Sequence, residues 1–132
     1  MKKIRFVIIL FISLLSITSC KDNTPQLTIT INQISDCLQN SDNKITEKES
    51  SFSYHASTST LTINKYNGFY SCEGEINVTA EIKDNVIVIT EQSSSENKCT
   101  CPKDITYTIG NITAGSYKIS INGKIIGDIL IY

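Results

Sequence analysis

The sequence has few of the residues on which most enzyme chemistry depends. It contains one histidine, His55, no tryptophan, and neither a Gly-x-Ser-x-Gly nor a Cys-x-x-Cys motif. A hydrolase needs a nucleophile beside a base, and thioredoxin-type enzymes need the Cys-x-x-Cys pair. A lone histidine without an orienting partner in the sequence is interpreted as a rim or surface residue. We therefore predict that the chain is not an enzyme and uses no cofactor.

The acidic residues do not form a calcium site, because no cluster of acids has the spacing of a calcium-binding loop. Asp36, Asp42 and Asp84 are isolated acids in turn-like segments, where aspartate is common. Asp104 follows Cys101-Pro102 and is predicted to cap a turn instead of acting as a catalytic acid.

A strong positive charge is also missing. The formal net charge is −1, but residues 1–19 carry three of the twelve basic residues and no acid. The remainder has nine basic residues against thirteen acidic ones, a net charge of −4. A mildly acidic domain cannot hold a phosphate backbone electrostatically, so a nucleic-acid partner is not expected.

The chain lacks an apolar run long enough to cross a bilayer as a helix. Phe6 to Leu15 is ten residues long, whereas a span needs roughly 20. It follows the basic segment Met1 to Arg5 and precedes small and polar residues, which is the layout of an export signal. We predict a cleaved signal peptide over residues 1–19, a tether over 20–26 and one domain over 27–132.

The predicted cleavage site has a further feature. Ile17-Thr18-Ser19-Cys20 resembles the lipobox of bacterial lipoproteins, which implies acylation of Cys20 and, as in that class, several acyl chains that give lasting membrane attachment. The alternative is an ordinary signal peptide with an incidental cysteine. Lys21-Asp22-Asn23 weakly resembles the charged tract that sends some lipoproteins to the cell surface, although those tracts often carry more acids. The predicted location is the bacterial outer membrane, through the lipid anchor.

Four cysteines remain for the domain: Cys37, Cys72, Cys99 and Cys101. An even count in an exported chain predicts disulfides. Residues i and i+2 of a strand lie about 6.6 Å apart with parallel side chains, a poor geometry for a disulfide. Cys99 and Cys101 should therefore each pair with one of the other two, in either combination, and each bond should contribute roughly 3–4 kcal/mol. A thiolate site for zinc or copper(I) is the competing interpretation.

The domain alternates apolar and polar residues in short runs, which predicts β-strands. Turns follow at Asp84-Asn85 and at Asn122-Gly123, the latter a strong type I′ hairpin signal. Polar loops are predicted over 35–51 and 91–97, with a loop or short strand over 66–74. The predicted fold is an all-β, antiparallel, immunoglobulin-like or fibronectin-like sandwich of about eight short strands. The predicted strands are 27–31, 51–56, 60–65, 75–83, 86–90, 104–109, 116–121 and 124–132.

The segment from Tyr107 to Tyr117 resembles the corner between two late strands of such sandwiches. In those folds a tyrosine placed like Tyr117 donates a hydrogen bond back to the upstream backbone. The alternative is a β-meander with a glycine turn. Gly127, in the last run, is predicted to mark a bulge.

Several short motifs together resemble a group of small lipoproteins of Gram-negative, gut-type anaerobes. Its most specific part is the Cys-x-Cys at Cys99 followed by Asp-x-x-Tyr at Asp104. The resemblance implies an envelope location and a β fold and no activity. In that group a further cysteine often stands where this chain has Ser71, so a family disulfide pattern is not transferable as a whole. The quoted motifs are Asp36-Cys37, 66–72, 99–107 and 115–117.

One candidate binding surface is visible in the sequence. Tyr66, Asn67, Phe69 and Tyr70 surround a glycine next to Cys72 and could stack on a glycan or a protein partner. The alternative is that these rings fill one end of the core. The predicted function is a non-catalytic binding or structural module on the envelope. A small redox or metal-binding protein using Cys99 and Cys101, and an inhibitor or immunity protein, are the alternatives.

Overall fold

A computed structural model describes residues 26–38, 50–94 and 98–132. These residues form eight strands, and over these three ranges no helix is long and apolar enough to cross a membrane. The predicted signal peptide, Cys20 and Asp42 lie outside the described residues. The strands are β1 (Thr28–Ile34), β2 (Ser51–His55), β3 (Thr60–Ser71), β4 (Glu75–Lys83), β5 (Val86–Ser94), β6 (Thr100–Gly110), β7 (Gly115–Ile121) and β8 (Lys124–Ile131).

The strands form two four-stranded sheets that pack as a sandwich. One sheet has the order β1-β6-β3-β2 and the other β4-β5-β7-β8. Five of the six strand pairs are antiparallel, and β5 pairs with β7 in parallel. The all-β sandwich of about eight strands is thus confirmed, with one parallel pair inside a mostly antiparallel arrangement.

Local sequence explains both predicted hairpins. Asn122 and Gly123 have φ of 48° and 83°, and Asp84 and Asn85 have φ of 50° and 60°. Positive φ at both central residues is what a type I′ turn requires, and asparagine, aspartate and glycine tolerate it best. These turns join β7 to β8 and β4 to β5.

The core lies between the two sheets and consists mainly of isoleucine. Alternate residues of each strand point inward, so the period of two in the sequence becomes a buried face. In β6, for example, Ile105, Tyr107 and Ile109 are at most 1% exposed. The other buried apolar residues are Leu61, Ile63, Tyr70, Ile76, Ile87, Ile89, Ile112, Tyr117, Ile119, Ile121 and Ile131.

The predicted tyrosine corner is present between β6 and β7. The hydroxyl of Tyr117 lies 3.1 Å from the carbonyl oxygen of Thr113, to which it donates, and 2.9 Å from Thr113 Oγ1. The ring is buried, so this hydrogen bond to upstream backbone fixes the corner to the core. The finding agrees with the feature expected of immunoglobulin-like sandwiches.

Gly127 makes room for a ring from the opposite sheet. A Cβ atom built on Gly127 would lie 2.6 Å from Cε1 and Cζ of Phe52, so any side chain there would displace the ring. The predicted bulge is found in the same hairpin, where the register shifts between Ile119 and Ser120 of β7. The missing side chain thus leaves the space over β8 that the Phe52 ring of β2 occupies.

Strand boundaries differ from the predictions in three places. Residues 91–94 were expected in a loop but continue β5, because Glu91 is buried with partners from the other sheet. Residues 66–71, predicted as a loop or a short strand, are strand and continue β3, whose register against β6 shifts between Lys65 and Gly68. The strand β6 begins at Thr100, earlier than predicted, since the chain before Asp104 pairs with the end of β3. Of the long predicted loop, residues 35–38 lie outside the strands, and 39–49 fall outside the described ranges.

Candidate functional site

Two disulfides lie at one end of the sheet that contains β6. Cys37, just after β1, is bonded to Cys101 in β6, with 5.6 Å between the Cα atoms. Cys72, just after β3, is bonded to Cys99, with 5.5 Å between the Cα atoms. Strands β1 and β3 flank β6, so each cysteine of the Cys-x-Cys motif bonds to a neighbour of β6. The prediction that Cys99 and Cys101 pair with separate distant cysteines is confirmed.

The two disulfides are also close to each other. The sulfur atoms of Cys37, Cys72 and Cys101 all lie within 4.8 Å of one another. The ammonium of Lys103, a residue that is only 8% exposed, donates to the carbonyl oxygen of Cys72 at 3.1 Å. Soft metal ions bind thiolates, and a disulfide sulfur has no thiolate to offer. These residues could hold zinc or copper(I) only after reduction of both bonds.

Beyond the disulfides the same end of the core contains a buried carboxylate. Glu91 projects from β5, and its side chain is fully buried. Tyr107 donates a hydrogen bond of 2.8 Å to its Oε1. Tyr70 and Lys65 donate to its Oε2 at 2.7 and 2.6 Å. All three donors come from the opposite sheet, so one carboxylate joins the two sheets through polar contacts.

The environment of Glu91 keeps both tyrosines protonated. Burial raises the pKa of Tyr70 and of Tyr107 above the ordinary value, and the hydrogen bond to Glu91 and its negative charge raise both further. A phenolate beside this buried carboxylate would add a second negative charge, without a counter-ion of its own, in a medium of low dielectric. The ammonium of Lys65 also lies 5.8 Å from the centre of the Tyr70 ring. Both phenols therefore act as hydrogen-bond donors.

Sequence reasoning missed this cluster. The predicted polar loop over 91–97 includes Glu91. One signal was available: Ile87, Ile89 and Glu91 are in phase, so a strand that continued past Thr90 had to point Glu91 inward. The three donors gave no such signal, because they lie 16 to 26 residues from Glu91 along the chain.

The predicted aromatic surface is divided between two sides of the sheet. Phe69 is 64% exposed, whereas Tyr70 is 4% exposed and bonded to Glu91. Tyr66 and Asn67 are half-buried at the register shift of β3. Asn67 has φ of 51°, and its backbone N–H donates to Asp104 Oδ1 at 2.9 Å. Phe69 is thus the exposed ring of this surface, and the Tyr70 ring belongs to the core.

The remaining candidates occupy ordinary positions. His55 is exposed on the edge strand β2, with its ring nitrogen 3.4 Å from Ser53 Oγ. Asp104 Oδ1 accepts the backbone N–H of Asn67, the Asp104 N–H donates to Ser35 Oγ, and its carbonyl oxygen accepts the N–H of Ser35, so this residue ties together neighbouring segments of the chain. Asp36 is exposed, and Asp84 lies in the β4–β5 turn.

Comparison of the chain with protein-family models, curated proteins and solved structures finds no match. The resemblance to small envelope lipoproteins therefore stays a prediction. Support for a function comes from the geometry of the described residues.

Proposed function

We propose that the chain is a lipoprotein, anchored in the bacterial outer membrane through Cys20, whose β-sandwich is a non-catalytic binding or structural module. One observation supports a non-catalytic role: the side chains best suited to catalysis already form bonds within the protein. Cys99 and Cys101 are in disulfides, and the carboxylate of Glu91 accepts three hydrogen bonds in the core. Each of these groups has a structural task that accounts for its presence.

The exported location is supported by the same two disulfides. Disulfides persist in oxidising compartments and are rare where the cytosol keeps thiols reduced. Each disulfide joins a cysteine in or next to β6 to one just after a strand that flanks β6, and both bonds require an environment in which they stay oxidised. The export signal over residues 1–19 and the lipobox ending at Cys20 agree with that requirement.

The proposed binding surface centres on Phe69. A ring that is 64% exposed keeps most of its apolar area in water, which a partner or a sugar ring could cover. Phe69 lies opposite Pro102 in the β3–β6 pair, and Tyr66 lies at the adjacent register shift. An aromatic ring of this kind suits either the apolar face of a glycan or an apolar patch of a protein.

Two measurements test the proposal. Intact mass and peptide analysis of the protein extracted from membranes should show an acylated N-terminus at Cys20, and Cys20→Ala should abolish it.

Binding to arrayed glycans and to secreted proteins should be lost in Phe69→Ala and kept in Tyr132→Ala, a matched change at an exposed aromatic residue. Labelling of native protein by a thiol reagent at Cys99 or Cys101 would instead favour the redox alternative. Capture of a toxin would favour the inhibitor or immunity alternative.

A further inference from the structure

The two disulfides are close enough to react with each other. The sulfur of Cys72 lies within 4.8 Å of both sulfurs of the Cys37–Cys101 bond, whereas the sulfur of Cys99 is outside this group of three. Thiol–disulfide exchange proceeds by attack of a thiolate on a disulfide sulfur. If Cys72 were released as a thiolate, a second disulfide would already stand next to it.

The surroundings of the Cys72–Cys99 bond favour release of Cys72 in particular. Cys99 is exposed, whereas Cys72 is half-buried, so a thiol from solvent reaches Cys99 more readily. Cys72 is also the residue whose carbonyl oxygen holds the ammonium of Lys103 at 3.1 Å. This contact places the cation at the backbone of Cys72, and a cation in the surroundings of a cysteine favours its thiolate and makes its sulfur the better leaving group.

We propose that these cysteines form an internal thiol–disulfide relay that is opened by a low-molecular-weight thiolate. The external thiolate attacks the sulfur of Cys99; a bond forms between them, the Cys72–Cys99 bond breaks, and Cys72 takes the electron pair as a thiolate. Cys72 then attacks the sulfur of Cys101; the Cys72–Cys101 bond forms, the Cys37–Cys101 bond breaks, and Cys37 leaves as a thiolate. The number of disulfide bonds is unchanged in each step, so no oxidant is consumed.

The fold indicates why Cys37 is the sulfur released. Cys101 is inside β6 and is paired with Tyr70 of β3, whereas Cys37 lies in residues 35–38, beyond the end of β1. The new Cys72–Cys101 bond would still join β3 to β6, whose pairing places Tyr70 opposite Cys101. The relay thus leaves a free thiol on Cys37 and removes the covalent link between β6 and residues 35–38, where the backbone N–H groups of Ser35 and Leu38 still donate to β6.

Two serine variants of the full chain test the relay as a matched pair. Cys99→Ser leaves Cys72 as a free thiol beside the second disulfide, and Cys72→Ser leaves Cys99 free outside the group of three. Each is equilibrated at mildly basic pH, alkylated and mapped without reduction. In Cys99→Ser the alkyl label should appear on Cys37 as well as Cys72, with a Cys72–Cys101 peptide. In Cys72→Ser the label should stay on Cys99 alone.

Wild-type protein and one molar equivalent of glutathione give an independent result that does not depend on a variant folding. We expect the glutathione adduct on Cys99 and the alkyl label on Cys37. A label confined to Cys72 in both wild type and Cys99→Ser would overturn the relay and leave two independent crosslinks. An adduct on Cys37 or Cys101 would overturn the proposed point of entry. Neither outcome bears on acylation of Cys20 or on binding at Phe69.

Discussion

Glu91 and Tyr107 are joined across the sandwich by a hydrogen bond of 2.8 Å. Glu91 belongs to β5 in one sheet and Tyr107 to β6 in the other, so the bond links two strands that share no backbone pairing. Lys65 and Tyr70 add two further donors from β3. A charge without solvent is costly unless its hydrogen bonds are made, so this cluster holds the sheets in one relative position.

Glu91→Gln should destabilise the domain. The amide replaces one acceptor oxygen by a donor, so at least one of the hydroxyl and ammonium donors loses its partner in the core. We expect a loss of about 2 kcal/mol in the free energy of unfolding, from urea unfolding with the disulfides intact. Glu81→Gln, the same change at an exposed residue of β4, is the control and should stay within about 0.5 kcal/mol of wild type. Equal stability of the two variants would contradict a structural role for Glu91.

Stability should fall at alkaline pH because of Tyr70 and Tyr107. Their pKa values are raised in the native state, so above about pH 10 the unfolded chain loses phenol protons that the native state keeps. The native state then binds more protons, and stability that is complete below about pH 10 declines as pH rises, by about 1.4 kcal/mol per pH unit for each phenol. Urea unfolding across this range should show a smaller slope for Tyr70→Phe, and an unchanged slope for Tyr132→Phe.

Ser71→Ala should stabilise the protein. Ser71 is 5% exposed, and its hydroxyl oxygen has no hydrogen-bond partner in the part of the chain that the structure describes. A buried polar group without a partner costs about 1–3 kcal/mol, and we expect the alanine variant to recover about 1 kcal/mol. Ser93→Ala is the informative comparison, because Ser93 Oγ accepts the backbone N–H of Ser71 at 3.1 Å. Opposite signs for the two changes in thermal unfolding are the expected result.

Tyr117→Phe should weaken the corner between β6 and β7 without emptying the core. The ring remains, but the hydrogen bond of its hydroxyl to the Thr113 carbonyl is lost. A loss of about 1 kcal/mol is expected by chemical denaturation. Tyr132→Phe, at a residue that is 85% exposed, should change nothing measurable. If Tyr117→Phe is equally neutral, the corner does not contribute to stability.

Sequence patterns were sufficient for most of the strands and both hairpin turns. Those features depend on neighbours: an alternating run buries one face whatever packs on it, and Asn122-Gly123 adopts positive φ by its own chemistry. The ends of strands were less predictable, because β3 and β5 continue into polar residues that are held there by contacts with strands distant in the sequence. Tyr70, one of the four residues of the predicted binding surface, is buried for a similar reason, because its hydroxyl donates to Glu91 in the core.

The sequence by itself determined an even number of domain cysteines and the separate pairing of Cys99 and Cys101, because adjacent strand positions on one face cannot bond well to each other. Only the tertiary structure decided that Cys37 bonds to Cys101 and Cys72 to Cys99, because that choice depends on which strands flank β6. It also decided the burial of Glu91. A carboxylate can be buried in the core only where hydrogen-bond donors from distant parts of the chain reach it, and the local sequence around Glu91 does not show which donors those are.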